Sequence, residues 1–169
     1  NAGFGGTIGY IGIVILAGSI IGIYLERSGG ALRLAERVLR WVGHRNVPLA
    51  MAIVGYVVSV PVFCDSGFVI LAPLARALSR KARAPLAACL VALSLGLYAT
   101  HTMVPPTPGP IAAAGILQAD LGLVILWGIP VSLVALAAGW LFAVRFAAKV
   151  TIHEGAKSGA EIAEVTVPG

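Results

Sequence analysis

Charge is what this chain has least of. Only 11% of its 169 residues are Asp, Glu, Lys or Arg, while 59% are hydrophobic. A soluble domain carries about a quarter charged residues, so a water-soluble globular fold is excluded. Cysteine is equally thin. Cys64 and Cys89 stand alone, in or beside apolar runs and without metal-ligand spacing, which argues against a disulfide scaffold and against a metal site. There is no phosphate loop and no nucleophile elbow, and Ser66 has no plausible base other than the neighbouring Asp65, so an enzyme is not expected. The formal charge of +5 does not point to nucleic acid, because the basic residues gather at the ends of apolar runs, as they do in cytoplasmic loops. The first apolar run has neither the basic leader nor the cleavage site of a signal peptide, and the chain starts at Asn1. It reads as an excerpt of a longer protein, with sequence expected on both sides.

What the chain does have is runs long enough to enter a bilayer. Residues 7–25 are uncharged over nineteen positions, roughly 28 Å as a helix and close to the thickness of a hydrocarbon core. Gly9, Gly12, Ala17, Gly18 and Gly22 make this span suited to close helix packing. Over residues 29–42 the pattern changes: Arg33, Glu36, Arg37 and Arg40 recur at helical spacing opposite Leu32, Ala35, Val38, Leu39 and Val42, with Trp41 near the end. That is the pattern of an amphipathic helix lying in the membrane interface; the plainer reading is a solvated connecting helix, and the interfacial one is preferred because flanking spans hold both ends at the membrane. Two short apolar runs, 48–63 and 67–79, follow, separated by Cys64-Asp65-Ser66. Arg40 and Arg45 precede them and Arg76, Arg80, Lys81 and Arg83 close them, so both outer ends are cytoplasmic. Two thin spans or one re-entrant hairpin both fit. The hairpin is preferred, and it places Asp65 and Ser66 at its tip.

The stretch Tyr98–Pro110, YATHTMVPPTPGP, is the most informative. Pro105, Pro106, Pro108, Gly109 and Pro110 interrupt an apolar run that begins at residue 85 and is completed by 111–117. Proline removes a backbone donor and clashes with the preceding turn, so a helix cannot run through this string. Lipid supplies no hydrogen bonds, and a broken backbone at membrane depth survives only when buried in protein or lining a wet cavity. Broken helices of this kind form the substrate and ion sites of secondary transporters. Gln118 and Asp120 mark the far side, with no Lys or Arg between residues 84 and 145. Residues 121–144 then return, containing Pro130, and Arg145 and Lys149 put the exit in the cytoplasm. Asp120 reads as a helix cap. The expected fold class is therefore an all-α integral membrane protein, with spans at 7–25, 85–118 (broken) and 121–144, an interfacial helix at 29–42 and a re-entrant hairpin at 48–79. Residues 1–150 form one membrane unit and 151–169 a cytoplasmic linker or disordered tail.

Asp65 is the single acid embedded between apolar runs, and an ionised carboxylate there implies a partner or a cavity. The alternative is a short external loop. His101 stands just before the break and is the side-chain type that changes charge near neutral pH; it can take a coupling proton, bind an anion or tie the break together. Ser66 and Gly67 open one helix, and Thr107 and Gly109 open another. Helix starts favour negative charge, and two aimed at one pocket would hold a carboxylate without Lys or Arg. Thr102 and Pro106 complete the candidate substrate or ion set of Asp65, Ser66, Gly67, His101, Thr102, Pro106, Thr107 and Gly109. For Gly67 and Gly109 the plainer reading is a tight turn. His44 and His153 read as solvated loop residues.

GFGGTIGYIG (3–12), ERSGGALRLAE (26–36), DSGFVILAPL (65–74) and THTMVPPTPGPIAAAGILQADLG (100–122) together resemble the gluconate permease family of gluconate:proton symporters, within the ion-transporter superfamily. The resemblance covers residues 3 to about 139. It implies a bacterial inner-membrane, multi-pass carrier that moves gluconate or a related small hydroxy acid with protons and uses no cofactor beyond the coupling ion. It also implies two inverted repeats, of which this chain supplies one, and a homodimer. By that match residues 65–67 fall at the hairpin tip and His101 with 105–109 at the broken helix. The chain departs from the family pattern at Asp65, where many relatives carry a longer acid, and at Thr107, where they carry a second histidine. The other readings are sodium coupling, with carbonyls freed at the breaks as ligands, and a non-transporting membrane subunit whose breaks dock a partner. The lipid bilayer and a small organic anion are the expected partners, and nucleic acid is not.

Overall fold

The computed structural model describes residues 2–43 and 46–152. His44, Arg45, His153 and all but the first two residues of the expected tail lie outside the described residues. Within them the chain is helical throughout, without a strand. The elements are α1 (Ala2–Arg27), α2 (Gly30–Val42), α3 (Val47–Val58), α4 (Cys64–Ala82), α5 (Leu86–Met103), α6 (Pro108–Leu117) and α7 (Leu121–Arg145), followed by a single 3-10 turn (Ala147–Lys149). Two stretches among the described residues, Leu86–Leu117 and Leu121–Lys149, are long and apolar enough to cross a membrane.

Local chemistry explains most boundaries. Gly29 (φ 69°) and Gly43 (φ 78°) bracket α2 in backbone conformations that a Cβ resists. Asn46 caps α3 by accepting from the Leu49 N–H at 3.3 Å, and Asp120 caps α7 by accepting from the Leu123 N–H at 2.9 Å. The proline string is divided more finely than its composition suggests. Only Val104 to Thr107 lie outside helix, and the Pro105–Pro106 bond is cis. Pro108 and Pro110 fall in the first turn of α6, where a missing N–H costs nothing. The first two prolines end one helix and the second two begin the next.

α5 is the axis of the molecule. Cys89, Ala92, Leu93, Leu97 and Thr100 are essentially inaccessible, and α3, α4 and α7 all pack on α5. α3 runs parallel to it: Ala52 lies at Gly96, and the Tyr56 carbonyl accepts a hydrogen bond from the Thr100 hydroxyl at 2.8 Å. The two backbones almost touch. A Cβ on Gly96 would overlap the Ala52 carbonyl oxygen, and one on Gly55 would meet the Leu93 carbonyl oxygen. Small residues at a crossing allow this approach, and dispersion between the closely packed backbones holds it. α7 runs antiparallel to α5, with Gly139 against Leu95 and Gly128 against the Met103 carbonyl. α2 buries Ala31, Ala35 and Leu39 against the bundle and exposes Arg33, Glu36, Arg37, Arg40 and Trp41.

Burial differs sharply between the two long apolar stretches. In the most apolar window of 86–117, 56% of residues are buried in this chain, against 6% in that of 121–149. α7 therefore presents Leu123, Leu126, Trp127 and Val134 outward, a surface that water would not tolerate but lipid or further protein would.

The α3–α5 crossing generates a direct test. Gly96→Ala forces the two backbones apart and should lower stability by roughly 1–3 kcal/mol, read as a drop in melting temperature of the full-length protein in detergent. Gly9→Ala, whose Cβ would meet nothing within 4 Å, should leave the melting temperature unchanged or raise it slightly.

Candidate substrate and ion site

The turn between α3 and α4 brings the first half of the candidate set to the end of α5. After Val58 the chain passes through Ser59–Phe63 and restarts as a helix at Cys64, so Asp65, Ser66 and Gly67 form the first turn of α4. Gly67 is buried against α5, where a Cβ would fall 2.9 Å from Leu97 Cδ2. Four residues earlier, the Phe63 ring meets the His101 ring edge to face, with centroids 6.0 Å apart and planes inclined at 66°. Asp65 is exposed on the surface of this chain, two residues beyond Phe63, and accepts a weak hydrogen bond from Cys64 Sγ at 3.7 Å. The start of α4 and the end of α5 are one locus. α1 passes beside it, with Gly22 close to the Pro61 carbonyl and the Phe63 ring.

The second half of the set lies one turn further on, across the break. Thr107 is buried and its hydroxyl donates to the Val104 carbonyl at 2.9 Å, closing the break with its own side chain. Thr102 is exposed, and its hydroxyl donates to the Tyr98 carbonyl at 2.8 Å. Pro106 and Gly109 are exposed. Both threonine hydroxyls have spent their proton inside the chain, and the exposed Thr102 presents only lone pairs outward.

The helix starts carry different weights. The N–H groups of Cys64, Asp65 and Ser66 precede the first intrahelical bond, since Gly67 N–H is the one that bonds Phe63 O at 2.8 Å. No side chain caps α4. α6 offers less: Pro108 and Pro110 have no N–H, which leaves Gly109 as the one donor in its first three positions. Among the described residues α4 and α6 do not touch. The start of α4 is thus the stronger anion site, and the start of α6 adds mainly carbonyl and hydroxyl oxygens. Neither Gly67 nor Gly109 serves a tight turn, because both are helical and only Gly29 and Gly43 among the described glycines take positive φ. Gly67 admits the close approach of Leu97; Gly109 has open space around it.

The structure adds residues that the sequence reading passed over. Tyr56 OH and Ser132 Oγ share a 2.8 Å hydrogen bond that ties α3 to α7, and Ser132 Oγ is also 2.9 Å from the Ile129 carbonyl. Ser59 is fully buried beside the turn. No periodic or motif signal marks either serine, because each is one small polar residue in an apolar run. Among the described residues no three His, Cys, Asp or Glu side chains group as metal ligands.

An all-helical bundle with a broken helix and an outward apolar surface is compatible with a protein of the membrane. Residues 1–166 match the model of the GntP family permeases, and the chain belongs to that family. It is 46% identical over 144 residues to an uncharacterised permease of Haemophilus influenzae, covering 82% of this chain and 30% of that protein. A gluconate permease of Pseudomonas aeruginosa is 38% identical over 141 residues, with 83% and 31% covered. The inner membrane permease YgbN of Escherichia coli is 37% identical over 150 residues, with 88% and 32% covered. The chain thus spans about a third of the length of the curated relatives it matches. No solved structure matches it. Family and relatives make this a membrane protein of the permease type, and these relatives are named as permeases rather than enzymes.

The Tyr56–Ser132 bond can be weighed by a double-mutant cycle. Tyr56→Phe, Ser132→Ala and the pair, measured by unfolding of the full-length protein, should show a coupling of roughly 0.6 kcal/mol, the average for such bonds between membrane helices. Additive effects would mean that the bond contributes nothing to holding α3 against α7.

Proposed function

We propose that this chain is the first of two inverted repeats of a secondary transporter that carries gluconate, or a related small hydroxy-acid anion, with protons across the bacterial inner membrane. The observation that carries this reading is the contact of the Phe63 ring with the His101 ring, which brings the start of α4, with Asp65 two residues beyond Phe63, to the end of α5 directly before the proline break. The names of relatives support the substrate class: a gluconate permease in Pseudomonas aeruginosa, and an inner membrane permease in Escherichia coli.

The geometry suggests how coupling works. The orphan N–H groups at the start of α4 attract an anion, but the Asp65 carboxylate sits in that same first turn and already occupies the favourable field. An ionised Asp65 therefore repels a substrate carboxylate. A proton on Asp65 removes the repulsion, so proton and anion each bind better when the other is present. Reciprocal coupling of this kind is what symport requires. His101, at the end of α5, is the second proton-handling group. Ser66, Gly67, Thr102, Pro106, Thr107 and Gly109 line the remaining substrate or ion contacts.

In this reading α3 and α4 form a re-entrant hairpin that enters and leaves on the cytoplasmic side, α2 lies in the interface with its arginines toward the headgroups, and α1, α5–α6 and α7 cross the membrane. The placement of Arg27, Arg40, Arg80, Lys81, Arg145 and Lys149 at helix ends on one side supports it. The second repeat completes the substrate site, and the protein works as a homodimer. One observation favours sodium as the coupling ion instead: the exposed Thr102 hydroxyl donates to the Tyr98 carbonyl and leaves only oxygen lone pairs for a ligand, an environment suited to a hard cation.

Uptake into proteoliposomes holding the full-length protein separates these readings. A pH gradient without sodium should drive accumulation of labelled gluconate that collapses with a protonophore; accumulation that needs sodium and ignores the pH gradient would replace the proton by sodium. Asp65→Asn, which mimics the protonated acid, should lose uphill accumulation while still exchanging labelled for unlabelled substrate across the membrane. Full accumulation by Asp65→Asn would remove Asp65 from the coupling scheme.

A further inference from the structure

Two buried polar atoms at the α3–α4 turn have no hydrogen-bond partner in the chain: Ser59 Oγ and His101 Nδ1. A buried hydroxyl left unpaired costs about 1–3 kcal/mol, and such groups are rare enough in folded proteins to need a reason. Ser59 is completely inaccessible, and its backbone is fixed by the bond from its own N–H to the Gly55 carbonyl at 3.0 Å. The stretch that contains it is pinned at both ends to neighbouring residues of α5. Tyr56 O accepts from the Thr100 hydroxyl at 2.8 Å, and the Phe63 ring abuts the His101 ring. Ser59 lies between these two pins, three residues beyond the first and four before the second, in a stretch whose two ends both meet the last turn of α5. The other buried hydroxyls of this region are already engaged: Thr100 with Tyr56, Thr107 with Val104, Ser132 with Tyr56 and Ile129. Ser59 is the buried hydroxyl here without a partner.

The chemistry of the pair selects its ligand. A serine hydroxyl both donates and accepts, and a neutral imidazole nitrogen does one or the other according to tautomer. A bare carboxylate only accepts, and it is served by the amides at the start of α4. An alcohol can satisfy serine and imidazole in either tautomer, because it both donates and accepts, whereas a carboxylate serves only the tautomer that carries its proton on Nδ1. We propose that Ser59 and His101 bind a hydroxyl of the transported hydroxy acid, while its carboxylate sits at the first turn of α4. This rests on the transport reading and deepens it: Ser59 becomes the residue that separates hydroxy acids from plain carboxylates. The pair is closed over in this structure, and the alternating movement of a transporter repeat is what exposes such a site.

The test uses the full-length protein in proteoliposomes, with gluconate and a panel of its mono-deoxy analogues. Ser59→Ala should raise KM for gluconate about tenfold, the loss of one good hydrogen bond, and leave the maximal rate within about twofold. For one analogue, missing the hydroxyl that Ser59 meets, the wild-type KM should already be raised and Ser59→Ala should add nothing. An unchanged KM for gluconate, or the same increase for every analogue, overturns the assignment; the second result would show that Ser59 only shapes the turn. Should Ser59→Ala not fold, Ser59→Thr and Ser59→Cys take its place, one keeping the hydroxyl and the other replacing it with a poor donor. A wild-type protein that moves no hydroxy acid overturns the transport reading itself, and that failure is seen before any variant is compared.

Discussion

The structure depends on two backbones being allowed to touch. Where α3 crosses α5, Gly55 and Gly96 let main chain meet main chain, and the parallel register that results fixes everything above the crossing. Because Ala52 lies at Gly96, Tyr56 lies at Thr100, and the turn after α3 arrives at His101. A crossing held by larger side chains would put the helices ~8–10 Å apart, and the turn would no longer reach the end of α5. The site is thus a consequence of packing several turns away from it. α7 completes the arrangement from the other side, with Gly128 against the last carbonyl of α5 and Ser132 bonded to Tyr56.

The break between α5 and α6 is stabilised in an economical way. Four residues lie outside helix, and the chain satisfies part of their polar demand itself: Val104 N–H bonds the Thr100 carbonyl at 2.9 Å, and the Thr107 hydroxyl returns to Val104 O. The Met103 carbonyl is covered by Gly128. What remains free at the break is mainly oxygen, with the Gly109 N–H as the one donor in the first three residues of α6, since the other two are prolines. Most of the free N–H groups are on the α4 side. The two sides of the locus therefore carry opposite polarity, which suits a substrate with a carboxylate at one end and hydroxyls along its length.

Much of this was legible in the sequence, for physical reasons. Uncharged runs of bilayer length, arginines at helical spacing in 29–42 and the density of prolines after Met103 each have one structural meaning, and α1, α2, α5, α6 and α7 occupy those residues. Asp120 announced itself as a cap. The relation between separate segments was not legible. Gly67 and Gly109 look alike in the sequence, yet one is pressed against Leu97 and the other faces open space. The two helix starts differ in donors, and this was in plain view: Pro108 and Pro110 lack N–H groups, so the start of α6 offers fewer than the start of α4. Ser59 and Ser132 could not be singled out, because a lone serine in an apolar run acquires meaning only from the helix it faces.

The most direct test of the account is a structure of the full-length protein determined with gluconate bound. The account predicts ligand held between the turn at residues 63–67 and the segment 101–109, with its carboxylate at the start of α4 and a hydroxyl within hydrogen-bond reach of Ser59 and His101. Ligand bound elsewhere, touching neither of those two segments, would contradict it.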